Sequence, residues 1–134
     1  MGRLNDGRTS IDVSVNKTLT AADQGIVQRA VVDGLVFTLP ATAAGLEFTI
    51  VNAGAPIANS TPGTAFDGSA GVNITPQAAD GVSGLGFTAT VSKGAVSAKA
   101  TSIINDEIRL AASGVAGVTA WNVQSSKGIW TRQP

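Results

Sequence analysis

The chain has 134 residues, nine Lys plus Arg against nine Asp plus Glu, and no Cys, His or Tyr. That length suits one domain, and the missing residues remove disulfides, thiolate nucleophiles, Cys-based zinc sites and the commonest general base. Zero net charge argues against nucleic acid or an anionic membrane as partner, and 13% charged residues beside 21 Ala, 16 Gly, 14 Thr and 14 Val point to a β-rich, non-catalytic domain without a cofactor.

Residues 1–10 are polar, with one Leu4 and arginines at positions 3 and 8. No apolar run follows the arginines, so they do not open a signal peptide. No segment approaches the ~20 apolar residues of a spanning helix. The expectation is a chain made in a cytoplasm without an export route. The segment itself is expected to be an extended arm, with 11–134 as a single β domain. Sequons at Asn16, Asn59 and Asn73 would matter only in a secreted chain.

Ile11, Val13 and Val15 alternate with Asp12 and Ser14, the period of a strand with one buried face. Residues 18–25 read as a turn or one helical turn. Strands follow at 26–32 and 35–39, separated by Asp33-Gly34. That dipeptide predicts a two-residue type I′ hairpin. Pro40, lacking an N–H, ends the second strand, and 41–45 connects to a strand at 46–50 after Gly45. Residues 53–64, with two prolines and two glycines, form a long loop. Further short strands are expected at 72–75, 86–92, 95–103, 106–111, 118–124 and 128–132. No 3.6-residue apolar stripe is sustained. The fold class is therefore all-β, an antiparallel sandwich or barrel of short strands.

Two internal likenesses stand out. Residues 15–23 and 72–80 agree at six of nine positions, and 45–49 resembles 84–88. The offsets differ, so there is no fixed period. Chance in an Ala/Thr/Gly-rich chain and a diverged strand-turn-strand duplication both account for them.

Gly84-Leu85-Gly86-Phe87-Thr88-Ala89 fits a loose dinucleotide fingerprint, but β-like residues follow where a helix is required. Asp106-Glu107 is the one adjacent acidic pair; neighbours on a strand face opposite ways, so the two cannot share a proton or a metal. Asp106 reads as a turn residue opening a strand. Trp121 and Trp130 read as core or subunit-interface anchors, with a sugar-stacking platform as the alternative.

The stretches Leu19-Thr20-Ala21-Ala22-Asp23-Gln24-Gly25, Phe37-Thr38-Leu39-Pro40-Ala41 through Gly45-Leu46-Glu47-Phe48-Thr49, Asn105-Asp106-Glu107-Ile108-Arg109-Leu110 and the closing Gly128-Ile129-Trp130 are similar to small β-structured virion proteins of tailed bacteriophages. These occur as capsid decoration (cement) proteins and as modules of tail or head fibres. The resemblance covers about residues 15–132. Where the family has Gly before the Asp of the late strand, this chain has Asn105, which tolerates left-handed φ.

The resemblance implies a structural virion protein and no catalytic residues. The expected function is decoration of the outside of a phage head, bound to the major capsid protein as a homotrimer on the capsid surface. Arg3, Leu4 and Arg8 are the candidate capsid contacts, and Asp33, Gly34, Pro40, Gly45, Asp106, Trp121 and Trp130 the structural positions. A fibre or receptor-binding module that binds a host surface glycan is the alternative; the length favours a self-contained decoration protein.

Overall fold

A computed structural model describes residues 2–3 (backbone alone), 7–54 and 70–134. Twelve strands are found there: β1 (Gly2–Arg3), β2 (Thr9–Val13), β3 (Lys17–Thr18), β4 (Ile26–Ala30), β5 (Leu35–Thr38), β6 (Glu47–Asn52), β7 (Val72–Thr75), β8 (Asp80–Ser83), β9 (Ala95–Ser97), β10 (Glu107–Ala112), β11 (Gly117–Lys127) and β12 (Thr131–Arg132). One 3-10 turn, Ala21–Asp23, lies between β3 and β4. The protein is all-β.

The strands form two sheets. Sheet A has the order β1-β2-β4-β6-β10-β11-β8, and sheet B the order β12-β9-β7-β5-β3. From β2 to β10 each strand lies in the opposite sheet from the one before it. The chain winds as a flattened coil, β2 to β3, β4 to β5, β6 to β7, and each turn of the coil lays its strands parallel to those of the previous turn. Pairing is accordingly parallel along β2-β4-β6 and along β3-β5-β7. Antiparallel pairing appears where β10 and β11 form a hairpin beside β6, and where β9 runs between β7 and β12. The expected all-β sandwich is present, but its two sheets are mixed rather than antiparallel, and they do not close into a barrel. The physical reason is that the turns carry the chain across to the other sheet instead of back along the same one.

Asp33-Gly34 shows this directly. The strands it separates, β4 and β5, lie in different sheets. Gly34 has φ +77° but Asp33 is not at positive φ, so the type I′ turn, which needs both, does not form. Asp33 instead accepts the Gly71 amide at 2.7 Å and the Lys99 ammonium at 3.1 Å, fastening the starts of β5 and β7.

The likeness between 15–23 and 72–80 has a structural counterpart. Both are a sheet-B strand followed by the turn into sheet A. Lys17 and Ile74 flank Phe37, and Thr18 and Thr75 flank Thr38. The turns match as well: Asp23 N–H donates to Thr20 C=O, and Asp80 N–H to Gln77 C=O, both at 2.9 Å. The second pair, 45–49 and 84–88, has no such counterpart: Gly84 and Gly86 are both at positive φ and 86–92 forms no strand, while β8 lies at Asp80–Ser83 instead.

The N-terminal segment differs from a free arm. Gly2–Arg3 pairs antiparallel with Thr9–Ser10, which in turn pairs with Ile26–Val27. Thr9 and Ser10 belong to sheet A, so the body begins there. Leu4 lies outside the described residues.

The core fills the space between the sheets. Phe48, Ile50, Ile108, Leu110 and Trp121 come from sheet A, and Leu35, Phe37, Val72, Ile74 and Ala95 from sheet B. Leu19 and Leu39 close one side from the equivalent turns, and their amides donate to Thr38 and Thr75 carbonyls at 2.8 Å. Trp121 is fully buried, its ring 5.6 Å from Phe48. Trp130 is nearly buried and donates its indole N–H to Lys127 C=O. After β11 the chain crosses to sheet B, where β12 pairs with β9.

Candidate functional site

Alternation along the strands of sheet A separates two faces. Phe48, Ile50, Ile108 and Leu110 point inward, so Glu47, Thr49, Glu107 and Arg109 point outward. The register then assembles an outer row from five strands: Ser10 opposite Val27, and Thr49 opposite Arg109 opposite Ser125. The next row runs Asp12, Arg29, Val51, Glu107, Lys127.

Charges on this face are paired across strands. Arg29 binds Asp12 and Arg109 binds Glu47. Arg8 binds Glu107 at 3.0 Å, and this last pair is informative. Residue 8 precedes β2, Glu107 lies on β10, and β4 and β6 stand between them. Three strand spacings on a flat sheet come to about 14 Å, beyond the reach of one arginine. Residues 7–8 therefore lean over this face toward β10. Val27, though outward-facing, is only 2% exposed, as expected for the floor of a hollow. A depression of about 530 Å³ lies there, lined by both Arg–Glu pairs, Thr49, Ser125 and the turn glycines Gly25 and Gly45.

The turn that enters β10 carries an apolar rim. Asp106 is 2% exposed; its carboxylate accepts the Ile103 amide at 2.9 Å while its own amide donates to Ile103 C=O. Asn105 in this turn has φ +76°. Gly128 packs so tightly on the Asp106 carboxylate that an added Cβ would lie 2.2 Å from Cγ. This packing brings Ile103, Ile104 and Ile129 to one rim, at 66%, 39% and 55% exposure. Val15, after β2, emerges at the same end.

Of the residues chosen from sequence, Arg8 lines the hollow and Asp106 braces the apolar rim. Asp33 and Gly34 form the crossing between sheets, where Gly71 and Lys99 hold the Asp33 carboxyl below the ordinary carboxylate range. Gly45 sits at φ +90° in the turn entering β6. Pro40 follows Leu39 in the equivalent turn, and Trp121 and Trp130 are in the core, leaving no exposed indole platform. Arg3 lies in β1. Glu47, Thr49, Arg109 and Ser125 were not singled out from sequence. The outward alternation of Glu47 and Thr49 is legible in the sequence, whereas Ser125 falls beyond the strand expected at 118–124 and the neighbourhood of β6 and β10 is not legible.

Chemically, the hollow offers hydrogen-bond donors and acceptors from Arg109, Glu47, Glu107, Thr49 and Ser125. Among the described residues no group of three or more acidic side chains converges on a metal position, and no helix is long and apolar enough to cross a membrane. Elsewhere, burial works against the charge of Asp23. The Lys17 ammonium at 2.9 Å and the Thr20 amide at 2.9 Å outweigh it and hold the carboxyl below its ordinary value. No protein-family model, curated protein or solved structure matches the chain.

Proposed function

We propose that the protein is a structural component of a virion, a capsid decoration protein that binds the major capsid protein on the outside of a tailed-phage head and stabilises the shell. It is made in the host cytoplasm and acts as a homotrimer on the capsid surface. The observation that carries the reading is the apolar rim of Ile103, Ile104 and Ile129, braced by the Asp106–Gly128 contact at one end of a β coil. Three exposed isoleucines on a rigid turn give a dry contact patch of the kind that marks association surfaces. The resemblance of 15–132 to virion proteins supplies the partner. Trimerisation accounts for the short edge strands β3 and β12, since closed rings bury sheet edges between subunits.

The test mixes purified protein with undecorated heads. The full chain should co-sediment with the heads and raise the temperature at which they rupture. Ile103→Asp/Ile129→Asp should stay folded and stay in the supernatant. Equal binding by the variant removes the rim from the contact. Failure of both to bind heads, with adherence to host cells, favours the fibre-module reading.

A further inference from the structure

We infer that the hollow on the outer face of sheet A is a binding site for a neutral polyhydroxylated ligand, a saccharide of one or two residues. The inference rests on the geometry of the hollow and not on capsid binding. The volume of about 530 Å³ lies within the range of small-molecule sites, about 300–1,000 Å³.

The lining decides the ligand class. Among the described residues two guanidinium groups are balanced by two carboxylates at contact distance, so neither an anion nor a cation gains net Coulomb attraction from them. Each ion pair uses Oε1 of its carboxylate, which leaves Oε2 of Glu47 and of Glu107 to accept a further bond. Arg109 is engaged through Nε, and its terminal nitrogens remain as a donor fork. Thr49 and Ser125 flank Arg109 in the same row, and their hydroxyls make no hydrogen bond among the described residues.

Donors and acceptors therefore alternate at close spacing across three strands. A sugar hydroxyl donates and accepts at once, and so satisfies this pattern where a carboxylate, phosphate or ammonium cannot. The floor at Val27 is apolar and small, suited to a ring's C–H face. A peptide is disfavoured because the site lies on a sheet face whose strands are already paired, with no backbone edge to extend. Because the groups sit on paired strands, with Arg109 and Glu107 on one strand, the site is organised before the ligand arrives. Among the described residues no aromatic ring lines it, so binding should be weak, in about the millimolar range.

The experiment titrates isotope-labelled full-length protein with maltose, lactose and diacetylchitobiose to about 20 mM, reading amide shifts. At least one disaccharide should move the amides of 47–49, 107–109 and 125 along a saturating curve. Thr49→Val/Ser125→Ala should weaken that binding about tenfold or more. Thr49→Ser, which keeps the hydroxyl, should bind as the parent does. Inorganic phosphate and free lysine should leave these amides unmoved. The inference is overturned if no disaccharide shifts them, if phosphate shifts them as strongly, or if the double variant is folded and binds unchanged. The shift map on the parent protein needs no variant to fold, and none of these outcomes depends on phage heads.

Discussion

Thr18 and Thr75 lie on either side of Thr38 in one row of sheet B, although most of the first half of the chain separates them. The residue before each completes a second row, Lys17, Phe37, Ile74, pointing into the core. Two of its members are fully buried and apolar; the third is a lysine at the end of the stack. Coiled β architectures need a polar cap where stacking stops, and Lys17 supplies it. Its stem covers Phe37, while its ammonium reaches Gln28 Oε1 at 2.7 Å and Asp23 at 2.9 Å.

This cap gives a first prediction. Lys17→Met keeps the stem but strips the buried Gln28 carbonyl of its donor. A buried acceptor left unsatisfied costs about 1–3 kcal/mol, so the urea midpoint should fall by that equivalent. In the double variant Lys17→Met/Gln28→Leu neither polar group remains, and much of the loss should return. Equal midpoints for Lys17→Met and the parent would show that the cap contributes nothing.

The two tryptophans give a second prediction. Both are buried, so native emission should be blue-shifted and acrylamide should quench it poorly. Their indole groups differ: Trp130 donates to Lys127 C=O at 3.0 Å, whereas Trp121 Nε1 is buried without a partner among the described residues. Trp130→Phe loses packing and a hydrogen bond and leaves that carbonyl without its donor. Trp121→Phe loses packing but also removes an unsatisfied N–H, which offsets part of the cost. Trp121→Phe should therefore be the milder of the two by about 1 kcal/mol in chemical denaturation. The reverse order would mean that the Trp121 N–H is satisfied in solution.

The all-β class was legible because side-chain alternation is a local property. Glu47-Phe48-Thr49-Ile50 and Glu107-Ile108-Arg109-Leu110 each declare which face is buried. Asn105 likewise announced its left-handed turn. The sheet partners were not legible, because Asp33-Gly34 codes for a reversal but not for whether the chain returns in its own sheet or crosses to another. The repeat was visible at 15–23 and 72–80, but unequal connections between the coils hide its period. The hollow fell in the same gap. It needs Arg8, Glu47, Glu107 and Ser125 from four separate segments, and only the register brings them together.

Acid sensitivity follows from Asp23 and Asp33, both held below their ordinary value of 3.8 in the folded state. For Asp33 the Gly71 amide is the main cause and Lys99 the second; for Asp23 Lys17 and Thr20 overcome the opposing effect of burial. A carboxyl lowered on folding binds more protons when unfolded. Its stabilisation is present above the unfolded value and is lost as pH falls through the folded one. Stability should thus be flat from about pH 7 to 5 and decline below about pH 4. Asp33→Asn and Asp23→Asn should each flatten the decline. If both variants decline as steeply as the parent, other carboxyls govern the acid limb.

The last prediction separates conformational strain from collision at two glycines. Gly34 and Gly128 both have positive φ, +77° and +91°, so alanine at either pays the left-handed penalty of about 1 kcal/mol. Their surroundings differ. A Cβ at residue 34 meets nothing within 4 Å, whereas at residue 128 it would stand 2.2 Å from Asp106 Cγ, with both carboxylate oxygens within 2.5 Å. Asp106 cannot withdraw freely, because its carboxylate holds the Ile103 amide and its own amide is bonded to Ile103 C=O. Gly34→Ala should therefore cost about 1 kcal/mol, and Gly128→Ala about 3 kcal/mol or more, in the range of strained or overpacked sites. Urea denaturation at neutral pH reads both. Asp106→Ala in the Gly128→Ala background should cost less than Asp106→Ala alone, since the collision is gone when the carboxylate is gone. If Gly128→Ala costs no more than Gly34→Ala, residue 128 is free to move away from Asp106, and the rim of Ile103, Ile104 and Ile129 is not held rigid by that contact.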